Sequence, residues 1–190
     1  MKRQCALAVI AAALFSAAPV HARTMIYNVD PSAQCSQAAR DITNLKVGMA
    51  YCDEALSDDV MLHRGELLIN RGIIKFAMED TQGALADFNA GLVANPQMGD
   101  GYINRAALLI SLGRYQEARS DVERALQLGA ANIPVAYYNR GVIEDETGDY
   151  QAAYRDYKQA LALKPDYAAA ARELLRFKVA PGSSAAAPPG

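Results

Sequence analysis

Between Gly65 and Tyr167, apolar and polar residues fall into blocks, each with the spacing of two amphipathic helices parted by a short break. In the last block the first helix runs to about Thr147, Gly148 supplies a left-handed stop, and Asp149 caps a second helix that starts near Tyr150. That helix ends at Lys164-Pro165. Gly113 makes the same stop before Tyr115 in the middle block. In the first block Glu79-Asp80 stands where the glycine is expected.

The blocks share a text as well as a pattern. Asn-Arg-Gly at Asn70, Asn-Arg-Ala at Asn104 and Asn-Arg-Gly at Asn139 lie 34 and then 35 residues apart, and the stretches of 27 residues that begin at each anchor run in step without a gap. A repeat of this kind cannot cover its apolar side alone, so the array needs closed ends. Asp166 to Lys178, with Leu174, Leu175 and Phe177, is predicted to be a closing helix. Leu45 to Leu56 reads as the second helix of a degenerate repeat at the other end.

With these residues in place the chain resembles the tetratricopeptide repeat family. The units are Gly65 to Met98, Gly99 to Asn132 and Pro134 to Tyr167, with Ile133 one extra residue. The small eighth position is Gly72, Ala106 and Gly141, the twentieth Ala84, Ala118 and Ala153, and the twenty-seventh Gly91, Ala125 and Ala160. Small side chains there let helix axes approach to about 8–10 Å. The bulky twenty-fourth position is Phe88, Val122 and Tyr157; the closing proline is Pro96 and Pro165, with Ala130 in its place in the second unit. The resemblance implies an all-α fold: a short right-handed α-solenoid of three helix-turn-helix repeats with an N-terminal half-repeat and a C-terminal capping helix. The expected division is a signal peptide at 1–22, a helical cap at 23–64, repeats at 65–98, 99–132 and 134–167, a capping helix at 168–179, and a disordered tail at 180–190.

The resemblance further implies a non-enzymatic adaptor that binds an extended peptide segment of another protein in the concave groove. The alternative is a structural subunit held through its convex face or edges. The family's sixth position faces the groove, and here it is Asn70, Asn104 and Asn139, amides able both to donate to and to accept from a peptide backbone. The fifth and ninth positions, Ile69, Ile73, Ile103, Ala107, Tyr138 and Val142, are expected to give an apolar floor. Bracing of neighbouring helices is the competing role for the Asn ladder. Acidic residues near the rim, Glu66, Asp100, Asp145 and Glu146, favour a basic or apolar segment. The family variant that clamps a C-terminal carboxylate needs Lys or Arg on this surface, and the apolar fifth positions argue against it.

The chain departs from the family at the seventh position, where Arg71, Arg105 and Arg140 replace an aliphatic residue. Each has an aspartate 16 residues on, Asp87, Asp121 and Asp156, which predicts one interhelical ion pair per hairpin. Stranding one partner of a half-buried pair costs ~3–5 kcal/mol, whereas two solvated charges contribute at most about 1 kcal/mol.

Composition adds three constraints. Lys2, Arg3 and the apolar run Ala6 to Ala18 have the form of a secretory signal cleaved after Ala22, with Ala18 the alternative site, which predicts a periplasmic or secreted protein without a membrane span. Its removal takes two basic residues from the 19 present against 21 acidic ones, and that balance argues against nucleic acid as a partner. Cys35 and Cys52 then remain, an even count expected to pair in an oxidising compartment. No cofactor or metal is expected. The histidine of the mature chain, His63, lies near Cys52, Asp53, Glu54, Asp58 and Asp59, but the spacing fits no ligand pattern.

Overall fold

A computed structural model describes residues 30–42, 44–57 and 63–177. The signal-peptide and tail segments, 1–22 and 180–190, and also Asp58 and Asp59, lie outside the described residues. Nine α-helices and no strand occur among those residues: α1 Pro31–Asp41, α2 Leu45–Ser57, α3 Arg64–Ala77, α4 Thr81–Ala94, α5 Gly99–Ser111, α6 Tyr115–Gln127, α7 Ile133–Glu146, α8 Tyr150–Leu163 and α9 Ala168–Leu174.

Helix boundaries follow local chemistry. Asp80 and Asp149 accept hydrogen bonds from the backbone N–H of Gly83 and Ala152, which opens α4 and α8. Gly113 and Gly148 take φ of +68° and +87° at the turns inside the second and third hairpins. Glu79 adopts the same left-handed conformation, φ +65°, at the equivalent turn of the first hairpin, so the bend there is made without glycine. Small residues bring each pair together: a methyl on Gly72 or Gly141 would sit 2.6 Å or 2.7 Å from the rings of Phe88 or Tyr157.

Helices pair as α1–α2, α3–α4, α5–α6 and α7–α8, and the first helices of successive pairs touch in the order α1, α3, α5, α7. This is an all-α helical repeat fold, with first helices on one face and second helices on the other. The N-terminal region is a complete hairpin rather than half a repeat. Ala38 meets Gly48, and Ala55 is buried, as small residues do in the other hairpins. Two fewer residues separate its paired positions, Cys35 and Cys52, than separate Ile69 from Phe88. At the other end Phe177, after α9, packs on Ala153 and Tyr157, with Tyr138 and Val142 against the same cluster.

Candidate functional site

The inner face of α1, α3 and α5 forms an open groove of about 360 Å³. Asn70, Asn104, Ile69 and Ile73 line it together with Ser36 and Arg40 of α1, and Glu66 and Asp100 stand on its rim. The sixth-position residues run as a ladder one repeat apart: Ser36, Asn70, Asn104 and Asn139. Asn70 Nδ2 donates to Ser36 Oγ at 3.0 Å. Asn104, half-buried in the groove, makes no side-chain hydrogen bond among the described residues, so its amide faces the groove with both donor and acceptor free.

The expected floor does not extend along the whole array. Asn139 is 5% exposed and donates to the carbonyl of Ile103 at 3.3 Å, so it braces α7 against α5. Ile69 and Ile103 are 6% and 3% exposed; Ile69 lines the groove but is largely buried in the core with Phe88 and Leu92, and Ile103 belongs to the core between α5, α6 and α7. Tyr138 lies 5.8 Å from the Tyr157 ring and 5.3 Å from the Tyr167 ring, and Val142 packs on the Phe177 cluster. Burial accordingly pushes the Tyr138 phenol above its ordinary value. Ile103, Tyr138, Asn139 and Val142 therefore do not line the groove, because the chain's own C-terminal elements and core occupy those faces. Ser36 and Arg40 are the wall residues that sequence reasoning missed. Counting back 34 residues from Asn70 reaches Ser36, which is the signal that identifies them.

The seventh-position arginines reach across each hairpin. Arg71 Nε and Nη2 donate to both oxygens of Asp87 at 2.8 Å, Arg105 to Asp121 at 2.7 Å, and Arg140 to Asp156 at 2.6 and 2.8 Å. These forked pairs carry geometric specificity as well as charge. Arg71 and Arg105 also extend Nη1 to Asp53 and Asn89 on the second helix of the preceding hairpin. Lys75, at the eleventh position, adds a second cation to Asp87 at 2.7 Å. Burial pushes the Asp87 carboxyl up, but hydrogen bonds from Arg71 and Lys75 outweigh it and hold the group below the usual carboxylate range. Glu144, the eleventh residue of the third unit, instead pairs with Arg119 of the preceding hairpin.

Cys35 and Cys52 form a disulfide between α1 and α2. His63 is the exposed cap residue of α3, with Nδ1 3.5 Å from Glu66. No group of three or more His, Cys, Asp or Glu able to hold a metal occurs among the described residues, and none of their helices is long and apolar enough to cross a membrane.

Comparison with known proteins places this geometry. Two models of the tetratricopeptide repeat match, at residues 99–131 and 134–167, so the chain contains tetratricopeptide repeats there. Among curated proteins, a DnaJ homolog subfamily C member 7 homolog of Dictyostelium discoideum is 30% identical over 55% of this chain and 20% of its own length. Human serine/threonine-protein phosphatase 5 is 29% identical over 56% of this chain and 21% of its own length. The chain thus spans only about a fifth of these relatives. The first TPR domain of Spaghetti (RPAP3), bound to the HSP90 peptide SRMEEVD, superposes with a TM-score of 0.56 at 26% identity, covering 60% of this chain and 89% of that one. PilW, a type IV pilus biogenesis factor, superposes with a TM-score of 0.69 at 21% identity, covering 78% and 69%, which shows the fold alone.

Proposed function

We propose that the chain is a non-catalytic adaptor whose groove on α1, α3 and α5 holds an extended segment of another protein. The observation that carries this reading is Asn104: an unpaired amide that lines an open groove together with Asn70 and Ile73. A peptide backbone presents the N–H and C=O that such an amide matches, and an extended chain lying across successive first helices meets one ladder residue per repeat. The peptide-bound RPAP3 domain supports the general mode. Its ligand ends in acidic residues, whereas here Glu66 and Asp100 border the groove and Arg40 is the cation on its wall. Basic or apolar segments are therefore the favoured occupants. The buried disulfide supports the further proposal of an exported, periplasmic or secreted setting, as does the signal-like sequence of residues 1–22.

A photo-crosslinking residue at position 73, inside the groove, compared with one at Gln127 on the exposed face of α6, tests the assignment. Adducts from position 73 that disappear in the Asn70→Ala, Asn104→Ala double variant, with helical content unchanged, are the expected outcome. Adducts from Gln127 alone would replace the groove with the outer face and favour the structural-subunit reading.

A further inference from the structure

The α1–α2 hairpin is tied together differently from the other three. In those, an arginine at the seventh position forks onto the second helix, and the fifth and twenty-fourth positions carry an apolar contact: Ile69 with Phe88, Ile103 with Val122, Tyr138 with Tyr157. In α1 the seventh position is Gln37, which bonds to Asp41 and Arg40 of its own helix. No ion pair joins α1 to α2 among the described residues. Where the apolar pair would stand there is the Cys35–Cys52 bond, closing a loop of 17 residues, with both cysteines 0% exposed.

The same hairpin supplies a wall of the groove. Ser36, next to Cys35, accepts the Asn70 amide, and Arg40 lines the groove one turn further on. Left to itself α1 is a poor helix: eleven mostly polar residues, of which only Cys35 and Ala39 are buried. Two thiols would fill less of the contact than Ile with Phe or Val.

We infer that the Cys35–Cys52 bond is a redox latch on the groove: oxidised, it holds α1 in place as a wall; reduced, it releases α1 and with it the binding of the partner segment. The latch itself follows from the hairpin's packing, and its effect on a partner rests on the groove reading above. In the reducing step a dithiol supplies two electrons and two protons. The Sγ–Sγ bond breaks, Cys35 and Cys52 become thiols, and the reductant closes to its own disulfide. Because both cysteines are covered, an attacking thiolate reaches the bond only during a local opening of the hairpin, and α1 leaves α2 only after the bond is cut. Release of the wall therefore follows reduction.

Hydrogen exchange on the full chain, oxidised and after equilibration with dithiothreitol, reads the latch without any partner. Amides of α1 are expected to exchange about 100-fold faster once reduced, the size of the loop-closure effect for a ring of this length, while α5 to α8 keep their protection. Cys35→Ile with Cys52→Val, which restores the apolar pair of the second hairpin, should retain the oxidised pattern with or without dithiothreitol. Cys35→Ala with Cys52→Ala should show the fast pattern in both. Unchanged α1 protection in protein whose two thiols are shown free by alkylation would overturn the inference, and so would a uniform loss of protection along the chain. Crosslinking from position 73 that survives reduction while α1 is released would overturn the coupling to binding. Absence of crosslinking in the oxidised state would instead overturn the groove assignment and leave the exchange result to decide the latch.

Discussion

At the scale of single residues, the Arg–Asp forks show how an arginine comes to stand where an aliphatic side chain would pack. Asp121, with its side chain 7% exposed, has few routes to water if Arg105 is removed; Arg105, at 22%, can turn outward if Asp121 is removed. The two truncations should therefore be unequal. Arg105→Ala is expected to cost about 3–5 kcal/mol and Asp121→Ala somewhat less, with the double replacement by leucines close to neutral, since a buried pair replaced by apolar groups loses no compensation. Urea denaturation of the single and double variants checks this; zero coupling would mean that the pair is solvated. Asp87 makes a pH-dependent version of the argument. Its carboxyl is held below its unfolded value of about 3.9, so its contribution is fully present above that pH and is lost as pH falls from there through the lower folded value. Stability should fall along that acid limb, and Arg71→Leu, which removes the principal donor, should reduce the slope there.

At the scale of elements, close approach of helix pairs depends on residues with no room to grow. Ala118, fully buried where α6 faces α5, is the sharpest case. Ala118→Leu should overpack this contact and destabilise the chain by ~1–3 kcal/mol, measurable as a shifted denaturation midpoint at unchanged slope. The frame behind that expectation was legible because small residues recur at fixed positions and because Gly113 and Gly148 mark turns that need positive φ. Glu79 left no such mark, since a non-glycine residue in the left-handed region costs little enough that neighbouring contacts hold it there. The α1–α2 hairpin was only half legible for a related reason. Its paired positions lie two residues closer than in the repeats, so a strict 34-residue frame finds Ser36 in step with Asn70 but puts Glu54, not Cys52, in step with Phe88. The groove was legible as a ladder of amides but not in its length. Whether a sixth-position amide faces a groove or a carbonyl depends on what packs behind it, and for Asn139 that is the backbone of Ile103.

At the scale of the molecule, each hairpin touches only its neighbours, so stability should be local and the two ends should fail separately. The C-terminal end is closed by a short helix and one aromatic ring: Phe177, 6% exposed, lies 5.8 and 6.0 Å from the rings of Tyr154 and Tyr157, while Arg176 bonds to Asp145 of α7. Phe177→Ala removes that ring from the stack, with an expected local cost of about 3–5 kcal/mol. Hydrogen exchange should then show α8 and α9 opening and Tyr138 becoming reachable, while α3 to α5 and the groove retain their protection, because α7 and α6 lie between. A cooperative loss along the whole array would mean that the hairpins are coupled more tightly than nearest-neighbour stacking allows. The cap would then act on the groove itself, whose nearest wall, α5, stands in the adjoining hairpin.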